Sequence, residues 1–143
     1  MMMNKLKLIT KYLFLGFFGG IAYMALEVVW RGYSHWTMGI LGGICFICLG
    51  LINEILSWDT PLLIQMAIGC VIITMLEFIT GCVVNLGLGW NVWDYSQYPL
   101  NLLGQISVRS SVLWYFLSAI GIVLDDVIRW KFFGEDKPRY KLI

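Results

Sequence analysis

Four long apolar runs, separated by short polar breaks, set the architecture of the chain before any single residue is considered. They cover about residues 12–30, 38–56, 62–84 and 106–128. Each is long enough, at about 1.5 Å per helical residue, to cross a hydrocarbon core about 30 Å thick. The pattern predicts an all-α integral membrane protein with four transmembrane helices in a single membrane domain over residues 1–143. The first run follows a basic start, as in a signal peptide, but it is too long and no small-residue cleavage pattern ends it. It reads as a retained helix.

The breaks are unequal. Arg31–Thr37 is a short loop with Tyr33, His35 and Trp36, and Ser57–Pro61 is a tight turn in which Pro61 suits the first turn of the next helix. Residues 85–105 differ: they are too polar to span, yet longer than the roughly 12–15 residues beyond which unstructured connections become uncommon. Trp90, Trp93, Tyr95 and Tyr98 argue against disorder, so this stretch is expected to be an ordered cap or a shielded re-entrant segment.

Composition agrees and adds orientation. Hydrophobic residues make up 59% of the 143 and charged residues 13%, and the mean hydropathy is +0.78, which is membrane-like. Lys5, Lys7 and Lys11 precede the first run, and Arg129, Lys131, Lys137, Arg139 and Lys141 follow the last. The positive-inside rule then puts both termini in the cytoplasm, N-in/C-in, as a multi-pass protein of the cell membrane. Residues 129–143 become a cytoplasmic tail, and residues 85–105 an outer cap between helices three and four. A net charge of +1 gives no argument for nucleic acid. Cys45, Cys48, Cys70 and Cys82 lie in or beside the spans, where free cysteine behaves as a small hydrophobe. Gly16/Gly20 and Gly39/Gly43 are GxxxG faces that let helix backbones approach closely, which suggests packing and a homo-oligomer built through them.

Candidate chemistry follows from depth. Glu77 lies 16 residues past Pro61, about 24 Å along an outward helix, and so in the outer half of the core. Glu27 and Arg31 stand at i,i+4 near the outer end of the first helix, and Arg109 opens the fourth. An intramembrane acid costs about 2.5–3.5 kcal/mol on the insertion scale, so Glu27 and Glu77 should face inward and find donors, with Arg31 and Arg109 the natural partners. The candidate ligand-binding set is Glu27, Arg31, Glu77, Trp93, Asp94, Tyr95, Asn101, Gln105 and Arg109. It reads as an outer polar pocket for a small solute or lipid headgroup. The competing reading is an ionic clamp that only ties the cap to the helices, in an accessory or structural membrane protein. Both imply the same contacts.

A second set, Asn53, Glu54, Asp125 and Asp126, lies toward the inner ends of helices two and four. It reads as interfacial charge or, alternatively, as a proton-sharing acid group. No catalytic residue, metal site or cofactor is expected: His35 stands alone, and Asp94, Ser96 and His35 are the only conceivable groups for a lipid-modifying enzyme. The expectation is therefore not an enzyme.

Three blocks carry a family resemblance: Glu27 with Arg31 and Gly32; Leu76–Gly81; and Trp93–Ser96 followed by Asn101, Leu102, Gly104, Gln105 and Ile106. With them the chain, from about Phe14 to Trp130, resembles the ABC-transporter type IV, or permease-like, family of small membrane proteins. The first loop departs from that pattern, with Trp30 before Arg31 and no prolines in His35–Gly39. The resemblance implies membrane transport and transporter subunits as partners. The Ser57–Pro61 loop is too short to offer a coupling helix to an ATPase, so such coupling would use the termini or another subunit.

Overall fold

A computed structural model describes residues 4–143. Its helices are α1 (Lys5–Arg31), α2 (Trp36–Ile55), α3 (Leu62–Gly81) and α4 (Val108–Phe133). A π-helical turn, Cys82–Gly87, prolongs α3, and a two-residue antiparallel ladder pairs β1 (Asn101–Leu102) with β2 (Ile106–Ser107) just before α4. The four helices, α3 with its π-helical extension, are long and apolar enough to cross a membrane, and the chain is a multi-pass membrane protein. Phe17, Leu13, Val71, Phe116 and Ile120 are exposed, so the outer surface is as apolar as the interior, which suits a lipid solvent and not water.

The helix boundaries differ from the hydrophobic runs for local reasons. Helix α1 starts at Lys5, well before residue 12, because the Asn4 side chain accepts the Leu6 N–H at 3.1 Å and caps it. It ends on Gly32, whose φ of 84° allows a left-handed C-cap. Helix α4 starts at Val108, not 106, because Ile106 and Ser107 are held in the ladder. Ser107 and Ser110 form a reciprocal capping box: Ser110 N–H donates to Ser107 Oγ at 3.1 Å and Ser107 N–H to Ser110 Oγ at 3.2 Å. At its far end α4 continues through Arg129 to Phe133, so the first residues expected in a tail are helical. The last residues are not free either, since Lys141 O accepts the Leu62 N–H at 2.6 Å and satisfies an orphan donor at the start of α3.

The contacts divide the chain into two units, Met1–Ile55 with Gly121–Arg139, and Leu56–Ile120 with Tyr140–Ile143; α4 contributes a half to each. In the first unit α1 and α2 run antiparallel along a glycine seam. A Cβ on Gly20 would lie 2.5 Å from Gly39 O, and one on Gly43 2.5 Å from Gly16 O. The close backbone approach expected of these two GxxxG faces is made within one chain, between α1 and α2. Below the seam Leu15, Phe46 and Ile128 form a core, flanked by Tyr12, Phe18, Ile47 and Phe133.

In the second unit α3 meets the first half of α4 through small polar contacts. Cys70 Sγ donates to Ser111 O at 3.1 Å, and the Thr74 and Ser111 hydroxyls are 3.0 Å apart. Residues 88–107 fold back over this pair.

Candidate functional site

The 88–107 segment is held by scattered backbone hydrogen bonds, such as Tyr95 N–H to Gly104 O at 2.7 Å, and by side-chain latches between them. Asn85, in the π-helical turn before it, is the first latch: its Oδ1 accepts the Val92 N–H at 2.7 Å, and its amide donates to Gln105 Oε1 at 2.8 Å. Gln105 is buried, donates from Nε2 to Leu103 O at 2.9 Å, and offers its own carbonyl to the Trp93 indole N–H at 3.0 Å. Asn101 is a second latch, donating to Tyr98 O at 2.8 Å and accepting the Gly104 N–H at 2.9 Å. Gly81 sits under the first: a Cβ there would come within 2.5 Å of Gln105 Oε1 and 3.0 Å of Trp93.

Glu77 anchors the segment to the helices. Its side chain is 2% exposed, and its Oε2 accepts the Trp114 indole N–H at 3.0 Å and the Tyr95 hydroxyl at 3.5 Å. The carboxylate thus accepts from two neutral aromatic donors, neither of them the expected Arg109. Arg109 instead lies with its guanidinium 4.6 Å from the centre of the Tyr98 ring, exposed, and forms no ion pair among the described residues. Asp94 is exposed as well. It accepts the Ser96 N–H at 2.8 Å, and that backbone hydrogen bond, with the Ser96 hydroxyl, holds its carboxyl below the usual aspartate range.

Glu27 and Arg31 belong to the other unit. Arg31 Nε is 2.6 Å from Glu27 Oε2, Tyr23 Oη donates to Glu27 Oε1 at 2.7 Å, and the Arg31 guanidinium lies 4.5 Å from the Tyr33 ring centre. The i,i+4 pairing read from the sequence is thus made. Of the nine candidate residues, Trp93, Tyr95, Gln105 and Asn101 join Glu77 in holding the segment, Asp94 and Arg109 stand at its surface, and Glu27 and Arg31 pair with each other in the first unit.

An open groove of about 530 Å³ lies beside this segment, lined by Cys70 of α3, the ladder residues Leu102 and Ile106, and Val108, Val112 and Tyr115 of α4. Asn101, Ser107 and Ser111 give it a few polar atoms in a lining that is otherwise apolar. Asn101 alone of the nine candidates contributes to its wall. Leu100, another wall residue, has φ 56°, and Leu103 φ 55°, so the turn around the ladder holds two leucines in left-handed backbone. Sequence reasoning missed Trp114 and the Ser107/Ser110 box; the Ser-x-x-Ser spacing ahead of an apolar run was the only local signal, and for Trp114 there was none.

No curated protein and no solved structure matches the chain. The profile of the family described as "Putative ABC-transporter type IV" matches residues 8–133, nearly the whole length, and the chain belongs to that family.

Proposed function

We propose that this chain is a permease-like component that holds an anionic amphiphile, a phospholipid or a molecule built like one, with its headgroup at Arg109 and its apolar chain in the groove beside the 88–107 segment. The carrying observation is Arg109 itself: an exposed guanidinium stacked on Tyr98, without a carboxylate partner among the described residues, one residue from the groove wall at Val108. A phosphate suits a guanidinium through paired, charge-assisted hydrogen bonds. The groove supplies little polarity for a solute wholly made of polar groups, and Leu100, Leu102 and Leu103 are exposed around it, as suits a segment in contact with lipid.

The clamp reading is kept for part of the site. Glu77, Trp93, Tyr95 and Gln105 are directed at one another and at Asn85 and Trp114, so their task in this proposal is to fix the segment that presents Arg109. The excess of lysine and arginine at the two ends supports a cytoplasmic placement of both termini, with the 88–107 segment outside. Binding and passage, and not catalysis, is the activity proposed. Energy-coupling subunits would engage the termini, because Ser57–Pro61 is closed on itself by the Thr60 N–H to Ser57 O bond at 3.0 Å.

The test is thermal stabilisation of the purified chain in neutral detergent by phosphatidylglycerol and by phosphatidylcholine. Phosphatidylglycerol should stabilise the wild type more, and Arg109→Gln should remove the difference, with affinity lowered about tenfold for the loss of a charged hydrogen bond. Equal stabilisation of the wild type by both lipids would sink the proposal.

A further inference from the structure

The buried ionic network of the first unit, remote in sequence from the 88–107 segment, has more acid than base. Its cations are Lys11 of α1, 5% exposed, and Arg129 of α4, 3% exposed. Its acids are Glu54 at the end of α2, Asp125 and Asp126 of α4, and Glu135 just beyond α4. Arg129 Nε binds Asp125 Oδ1 at 2.6 Å, and its Nη1 binds Glu54 and lies 3.7 Å from Glu135. Lys11 Nζ is 2.7 Å from Glu135 and 3.7 Å from Glu54. Asp126 accepts from the Asn53 amide at 2.7 Å. Glu54, Asp125 and Glu135 thus share two cations, with Asp126 beside them on the Asn53 amide.

Glu54 and Glu135 are partly open to water, but a fully buried carboxylate costs several kcal/mol unless its oxygens are compensated, and that burden falls on Asp125. The residue is 0% exposed, one carboxylate oxygen is engaged by Arg129, and the other, Oδ2, is buried with no hydrogen-bond partner. The carboxylate rests directly on Gly50 of α2, where a Cβ would lie 2.1 Å from Oδ1 and 2.4 Å from Oδ2. Glycine at position 50 makes room for a carboxyl group and for little else. A metal ion is a poor candidate, since no group of three or more metal-ligating side chains is assembled among the described residues.

We propose that this network is a proton-binding site and that Asp125 holds the proton on Oδ2. Proton uptake converts the Asp125 carboxylate to a carboxylic acid, with the proton drawn from bulk water and returned to it; only an O–H bond forms and breaks. The groups facing Asp125 and its arginine are Lys11 and Tyr12 from α1, Asn53 and Glu54 from α2, Asp126 and Arg129 from α4, and Glu135 after it. Glu54 and Glu135, with side chains 39% and 30% exposed, open the network to water and give the proton its route. Burial and the neighbouring Glu54 carboxyl raise Glu135 above the usual glutamate range, in keeping with an acid-rich site that retains protons.

Infrared difference spectra of the full chain in phosphatidylcholine bilayers, stepped in pH in H₂O and in D₂O, read protonated carboxyl groups directly. The wild type should show a carboxylic C=O band that disappears as pH rises and shifts when aspartate is ¹³C-labelled at its carboxyl carbon. Asp125→Asn should abolish the band, and Asp126→Asn and Glu135→Gln should keep it. A wild type with no such band, a band unmoved by the aspartate label, or a band lost in Asp126→Asn overturns the assignment. Where Asp125→Asn does not fold, the isotope shift in the wild type and the Asp126→Asn spectrum decide the matter.

Discussion

The indole N–H of Trp114 points at Oε2 of Glu77 from 3.0 Å, joining an aromatic of α4 to the buried acid of α3. Hydrogen bonds to a charged group contribute about 1.5–3 kcal/mol, and a buried carboxylate deprived of a donor loses that and part of its solvation. Trp114→Phe should lower stability by about this amount, read as thermal unfolding in detergent. Glu77→Gln, which keeps an acceptor for the indole and removes the charge, should cost less. If Glu77→Gln is the more damaging of the two, the carboxylate has a role that the clamp does not explain.

That pair also marks how far the sequence was legible. The four spans could be read because crossing a membrane demands apolar composition over a fixed length, a property each run carries by itself. Glu27 with Arg31 could be read because i,i+4 spacing on a helix fixes proximity. Glu77 could be recognised as an acid in need of donors, but its donors could not be named: the register of α3 against α4 is set by contacts such as Thr74–Ser111, which no local pattern encodes. For the same reason the GxxxG faces announced a close backbone approach without saying whether the partner was α2 or a second copy. Lys11 read as a flanking positive charge, yet its ammonium reaches Glu135 across the sequence and the residue is buried.

The glycine seam separates two kinds of glycine. At Gly43 a methyl group would meet the Gly16 backbone oxygen at 2.5 Å, so Gly43→Ala must part α1 from α2, at a cost of about 1–3 kcal/mol. At Gly32 nothing lies within 4 Å, and only the left-handed backbone resists a side chain; Gly32→Ala should cost about 1 kcal/mol. Unfolding temperatures of the two variants should fall in that order. A Gly43→Ala protein that keeps its unfolding temperature but changes its mass by light scattering would instead place the seam between copies.

Leu103 is an exposed leucine held at φ 55°, a conformation that costs an L-residue about 1–2 kcal/mol. Leu103→Gly relieves that strain and also loses the lipid-facing side chain. In detergent its stability should rise by less than about 1 kcal/mol, since glycine's greater freedom in the unfolded chain offsets part of the gain. Reconstituted in bilayers, the gain should shrink or reverse if the leucine contacts lipid. Equal gains in detergent and bilayer would remove Leu103 from the membrane surface.

Two carboxyl groups outside the spans should respond to pH with opposite signs. Asp94 is held below its ordinary value by the Ser96 N–H, so the folded state binds its proton less readily than the unfolded chain does; the stabilisation is present above the usual aspartate range and is lost as pH falls through the depressed value. Glu135 is raised by burial and by the Glu54 carboxyl, so the folded state binds its proton more readily; its contribution is present below the usual glutamate range and declines as pH rises through the elevated value. Unfolding temperature measured from acid to neutral pH should therefore lose part of its acid-side fall in Asp94→Asn and part of its decline above the glutamate range in Glu135→Gln. If Glu135→Gln leaves the upper limb unchanged while Asp94→Asn flattens the lower, the Glu135 carboxyl does not hold its own proton more firmly in the folded state than in the unfolded chain, and burial beside Glu54 is not what shapes that limb.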